Sequence, residues 1–158
     1  MQEKNWPNFS KSLISKVSKI LNSGKINYTD GPYGIKFEKE FSKFVGNRYS
    51  IAICNGTAAL EVAIKSLKLP INSEIIVPAR SFFASASCIV NTGHIPIFAD
   101  VNLVTQNISI QDIKKKITKR TKAIICVHLG GMPCDMHSIK RLANKKKIKI
   151  IEDCSQAH

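Results

Sequence analysis

Five short runs rich in isoleucine and valine recur from residue 50 onward: SIAIC (50–54), EIIVP (74–78), IPIFAD (95–100), KAIICVH (122–128) and IKIIED (148–153). They show little polar alternation, so a strand built from any of them must be covered on both faces. Between them apolar residues recur at helical spacing, over Thr57 to Leu69, Phe82 to Asn91, Ser109 to Ile117 and Asp135 to Lys146. This alternation predicts an α/β fold, a mostly parallel sheet sandwiched by helices. Upstream, Leu13, Ile14, Val17, Ile20 and Leu21 share one stripe of a helix predicted from Ser10 to Ser23 and stopped by Gly24. Phe37, Phe41 and Phe44 mark a second helix ending at Gly46, and the turn-rich INYTDGPYG between the two reads as a surface loop. No internal repeat, low-complexity tract or interdomain linker interrupts the pattern, which reads as one domain or part of one.

Composition narrows the function classes. With 158 residues, 44% of them hydrophobic, and a mean hydropathy of -0.05, the chain can bury a core. No apolar run approaches the roughly 20 residues needed to cross a bilayer, and MQEKNWPNFSKS lacks the apolar stretch of a signal peptide, so the cytoplasm is the expected location. Five cysteines, an odd number and mostly inside apolar runs, argue against a disulfide framework. The 24 Lys+Arg against 11 Asp+Glu give a net charge of +13, a possible mark of a polyanionic partner. Yet the basic residues are almost all lysines and dispersed, with runs at Lys114–Lys116 and Lys145–Lys147 late in predicted helices, where they complement the helix dipole. No aromatic residues interleave with them, and no helix-turn-helix, RRM or zinc-finger pattern occurs. Neither a nucleic acid nor a membrane is expected as a partner.

Ligands of an open parallel sheet gather at the carboxyl ends of its strands, and three such ends are chemically loaded. The first run enters Asn55-Gly56-Thr57-Ala58-Ala59-Leu60, where a strand giving way to a helix leaves backbone N–H groups for a phosphate. The plain alternative is an ordinary turn with Asn55 or Thr57 as N-cap. GxxxxGK[ST] and GxGxxG are both absent. The second end, Pro78-Ala79-Arg80-Ser81-Phe82-Phe83, offers an aromatic that can stack on a planar ligand, although without further context a core role for Phe82 and Phe83 is the simpler reading. The third is Glu152-Asp153, where a carboxylate can cap a helix, form a salt bridge, or hold a protonated heteroaromatic nitrogen such as the pyridinium of pyridoxal phosphate (PLP). A competing set, Cys126-x-His128 with Cys134-x-x-His137, supplies four metal-capable side chains, but Cys126 and His128 fall in a predicted buried strand and the spacing matches no standard zinc pattern. No metal is expected.

Five blocks in order, GPYGIKFEKEFSKFVG, NGTAALEVAIKSL, EIIVPARSFFASASCIVNTGHIPIFADV, KAIICVHLGGMPCDM and KIIEDCSQAH, closely resemble the DegT/DnrJ/EryC1/StrS family of PLP-dependent sugar aminotransferases. The resemblance covers nearly the whole chain from about Trp6. It implies the large domain of a PLP-dependent transferase of fold type I. It further implies that Thr57 and Ala58 bind the cofactor phosphate, that Phe82 stacks on the pyridine ring, that Asp153 pairs with the ring nitrogen and that Gln156 lies near the phenolic oxygen. His158 belongs to the same QAH block without an assigned role. Gly130-Gly131-Met132 departs from the family's commoner Tyr-Gly-Gln and leaves the sugar open.

The implied reaction carries an amino group, usually from glutamate, to a keto group of a nucleotide-activated deoxysugar, as in surface polysaccharide or amino-sugar biosynthesis. Family members are homodimers, and the TDGPYG loop is expected on the substrate side. The lysine that holds the cofactor as a Schiff base lies beyond the QAH block in this family, so no catalytic residue is expected within residues 1–158. These residues are then expected to be the amino-terminal part of the large domain, without the rest of it or the small C-terminal domain, and inactive alone. Two alternatives stay open: a sugar dehydratase relative with histidine in place of that lysine, and a noncatalytic module that binds a phosphorylated ligand.

Overall fold

The first helix among the described residues opens on a serine cap. In a computed structural model of the chain, which describes residues 7–157, Ser10 is extended and its side chain accepts a hydrogen bond from Leu13 N, opening α1 (Lys11–Asn22). The predicted second helix, α2 (Tyr33–Val45), closes on Gly46 in the left-handed conformation at φ +72°, where glycine carries no Cβ penalty. Phe37, Phe41 and Phe44 line one face of α2, with successive ring centroids 5.7 and 6.3 Å apart. These helices belong to the first of two compact units, Met1–Ala52, and the second is Ile53–His158.

The second unit is α3 (Gly56–Ser66), β1 (Glu74–Pro78), α4 (Ala84–Asn91), β2 (Ile95–Ala99), α5 (Ile110–Lys116), β3 (Thr121–Val127), α6 (Met136–Lys146) and β4 (Lys149–Asp153), with a short 3-10 turn at Leu129–Gly131. Its sheet is parallel throughout, in the order β2-β1-β3-β4. The continuous apolar runs have the predicted consequence. Along β3, Ala123, Ile125 and Val127 enter a core with Leu60, Ile64 and Ile89, whereas Ile124 and Cys126 enter a separate one with Ile113, Ile139 and Ala143. Helices α3 and α4 cover one face and α5 and α6 the other, because successive strand residues point to opposite sides. Each fully buried isoleucine contributes about 1.5–3 kcal/mol.

One expectation fails. The run SIAIC (50–54) forms no strand. Ile51 is 76% exposed, and Ala52 N donates to Glu38 Oε1 at 2.7 Å instead of to a neighbouring strand. An apolar run of strand length joins a ladder only where a neighbour presents an edge, and the pattern of the run does not specify that neighbour.

At the amino end of β1, Glu74 is buried and accepts from Arg120 Nε at 2.9 Å, from Thr121 Oγ1 at 3.2 Å and from Thr118 Oγ1. The Thr118 hydroxyl, then the Arg120 guanidinium, hold its carboxyl below the usual range. A carboxyl lowered by folding stabilises fully above its unfolded value of about 4.3 and ceases to do so as pH falls through the lowered one. Glu74→Gln should therefore cost about 1–3 kcal/mol near neutral pH. It should also flatten the loss of stability in urea between about pH 6 and pH 3. Equal pH slopes for the two proteins would contradict the assignment.

Candidate active site

The carboxyl ends of β1, β3 and β4 and the start of α3 enclose a cavity of about 320 Å³. Asn55 is extended at φ −162°, and its side chain accepts from Ala58 N at 2.9 Å, so the N-cap reading of this turn holds. The cap occupies the Ala58 amide. The amides of Gly56 and Thr57, in the first turn of the helix, have no intrahelical carbonyl to bond, and both residues line the cavity.

Phe82 and Phe83 follow β1 and are 74% and 80% exposed, so neither is a core residue. Phe82 lines the cavity together with Ser81 and Ser85, whose hydroxyls lie 2.7 Å apart. Asp153, the last residue of β4, is only 9% exposed. Its Oδ1 accepts from Ser155 N at 3.1 Å and Ser155 Oγ at 2.6 Å, an arrangement that fixes the carboxylate. Among the described residues Oδ2 has no hydrogen-bond donor. Gln156 Oε1 accepts from Gly130 N at 2.6 Å, which turns its amide Nε2 outward as a donor. Of the five residues expected to hold a cofactor, Thr57, Phe82, Asp153 and Gln156 line this one cavity, and Ala58 follows directly behind Thr57. His158 lies outside the described residues.

Sequence reasoning missed Ser81, Ser85, Ser155 and Gly131. Ser155 carried a signal, because an Asp followed two residues later by Ser is the spacing of a side-chain-closed turn. Gly131 carried none. It has φ +82°, and a Cβ on it would lie 3.2 Å from the Gln156 carbonyl oxygen, a contact between positions remote in sequence.

The cysteine–histidine set is used differently. His128 is buried; its Nδ1 accepts from Cys134 N at 3.0 Å and its Nε2 faces Glu152 Oε2 at 3.3 Å. The Cys134 thiol donates to Val127 O at 3.2 Å. Burial pushes the Cys126 thiol far up and that of Cys134 up to about 11, which disfavours the thiolate a metal requires. Among the described residues no group of three or more His, Cys, Asp or Glu is placed to hold a metal ion.

A helix start that offers amides, an aromatic at the wall and a fixed buried carboxylate lie together at one rim of a parallel sheet, where ligands of α/β proteins gather. Residues 7–158 match the DegT/DnrJ/EryC1/StrS aminotransferase family, and the chain belongs to it. It is 41% identical over 155 residues to GDP-perosamine synthase of Escherichia coli O157:H7, covering 96% of this chain and 42% of that protein. The crystal structure of an aminotransferase from Psychrobacter cryohalolentis superimposes with a TM-score of 0.94 at 44% identity, over 98% of this chain and 39% of that one. The E. coli GDP-4-keto-6-deoxy-D-mannose-3-dehydratase with bound hydrated PLP superimposes with a TM-score of 0.85 at 28% identity, over 92% of this chain and 39% of that one. The chain thus spans about two-fifths of the length of these relatives.

Two outcomes test this geometry. Gly131→Ala should lower stability by about 1–2 kcal/mol in chemical denaturation, since it forces an L residue into the left-handed region against a backbone oxygen. A thiol reagent should label exposed Cys54 and Cys154 in the native chain, and Cys88, Cys126 and Cys134 only after unfolding.

Proposed function

We propose that the chain is the amino-terminal, cofactor-binding part of the large domain of a PLP-dependent transaminase. Its reaction moves an amino group, with glutamate as donor, to a keto group of a nucleotide-activated deoxysugar, for polysaccharide or related amino-sugar synthesis in the cytoplasm. The observation that carries the reading is Asp153: one carboxylate oxygen is held by Ser155 and the other has no donor among the described residues, in a cavity that also contains the start of α3.

The donor set fits the cofactor. The Gly56 and Thr57 amides and the Thr57 hydroxyl suit its phosphate, and Ala58 contributes by continuing the helix whose dipole faces that anion. Phe82 supplies a flat apolar face for the ring. Asp153 would pair with the ring nitrogen and hold the proton there, and the Gln156 amide would donate to the phenolic oxygen. PLP, when bound, supplies an electron sink for the carbanion that amino transfer requires. The identity to a perosamine synthase and the superposition on an aminotransferase favour transfer to a nucleotide sugar. A dehydratase reading is favoured by one observation, the superposition on the E. coli enzyme. Glutamate consumed in step with product indicates transfer, and loss of water without donor consumption indicates dehydration. Homodimerisation is part of the same family-based reading.

None of the twelve residues lining the cavity is a lysine. These 158 residues should therefore bind the cofactor without a covalent bond and turn over no substrate. Pyridoxamine phosphate, which needs no lysine, should bind saturably by equilibrium dialysis, and Asp153→Ala and Thr57→Val should each weaken it by about tenfold or more. Unchanged affinity in Asp153→Ala, or a borohydride-reduced adduct of PLP mapped to one lysine of this chain, refutes the reading.

A further inference from the structure

The fold sorts the charges of the second unit by position. Each helix there precedes a strand through a short connection, so the carboxyl ends of α3, α5 and α6 meet the amino ends of the strands at one pole, opposite the cavity. That pole collects exposed Lys65 and Lys68 at and beyond the end of α3, Lys114–Lys116 and Lys119 at and beyond the end of α5, and Lys145–Lys147 and Lys149 at and beyond the end of α6. The opposite rim instead carries Asp100, Asp112, Asp135, Glu152 and Asp153, with Arg80 after β1 as a cation among them. Steering of an anionic substrate into the cavity is therefore not what these lysines serve.

They are also unneutralised. Among the described residues the ion pairs of this unit are Arg120–Glu74, His128–Glu152 and Lys140–Glu152, which leaves the lysines of the pole without a carboxylate. Lys119, Lys122, Lys146 and Lys147 face a shared concavity of about 600 Å³. Lys147 sits at φ +56°, a helix-end position where glycine is favoured and a lysine costs stability. The loop that leads from α3 into β1 and carries Lys68 exposes 83% of Ile71.

The chemistry of the pole distinguishes among polyanions. Exposed aromatic residues of this unit, Phe82, Phe83 and Phe98, lie toward the carboxyl ends of the strands, so none is at the pole to stack on bases. The one guanidinium at the pole, Arg120, is committed to Glu74. What remains is an array of point charges around a projecting aliphatic side chain, which matches a surface of anionic headgroups over an apolar interior. We propose that this pole is a docking surface for an anionic lipid bilayer, with the lysines against the headgroups, Ile71 entering between them, and the cavity facing away from the membrane. The sequence reading that excluded a membrane partner rested on the lack of a spanning apolar run, which does not bear on docking at the bilayer surface.

Sedimentation with vesicles tests this on the whole chain. Phosphatidylcholine vesicles with about 30% phosphatidylserine should bind it, pure phosphatidylcholine should not, and high salt should release it. At about fivefold per lysine, Lys119→Gln with Lys146→Gln should weaken binding roughly 25-fold. Arg80→Gln with Arg141→Gln, an equal charge change made after β1 at the opposite rim and midway along α6, should weaken it less than about threefold. Ile71→Ser should weaken vesicle binding and leave the circular dichroism spectrum unchanged. Failure to bind, equal binding to neutral vesicles, equal losses in the two double variants, no effect of Ile71→Ser, or a preference for single-stranded RNA at the same salt each overturns the proposal.

Discussion

Two-sided burial of the parallel sheet is the constraint from which the other features of the second unit follow. Ile124 and Ile125 are neighbours in the chain and lie in different cores, so neither face of β3 can be left to water. Covering both faces requires a helix between successive strands, and each such helix must run back against the strand direction. All strand carboxyl ends then fall on one rim and all helix carboxyl ends on the other. The location of the cavity and the accumulation of lysines are two results of that single geometric necessity.

At the carboxyl rim, the site is made of termini rather than of regular structure. Asp153 ends β4, Gly56 opens α3, and Phe82 lies in the turn after β1. Polar groups at such positions escape the ladders and helices that satisfy the rest of the backbone, so they can serve a ligand. The cost of burying Asp153 is met locally by two hydrogen bonds from Ser155. The close packing of Gly131 against the Gln156 backbone fastens the turn after β3 to the segment after β4, which holds the rim together.

Much of this was legible beforehand. The apolar runs at 74–78, 95–100, 122–128 and 148–153 predicted the four strands, and the helix limits at Ser10, Gly46 and Ser109 followed from capping chemistry. SIAIC misled because hydrophobic pattern records what a segment would bury, not whether a partner edge is available. For Phe82 and Phe83 the core role, the simpler reading from the residues without the family resemblance, fails for a related reason: an aromatic beside a strand end looks the same in sequence whether it points inward or into a cavity mouth. The cysteine–histidine spacing could not reveal that His128 spends its ring nitrogens on Cys134 N and Glu152.

By itself the order of residues determined the local terms: which runs must be buried, where helices start and stop, and the residue types at each strand end. Those terms depend on neighbours within a few positions, so a linear pattern contains them. Only the tertiary structure decided which distant ends meet, that Thr57, Phe82, Asp153 and Gln156 share one cavity, and that scattered lysines converge at the opposite pole. Convergence of that kind is set by strand order and helix direction, which are properties of the packed sheet and of no single segment.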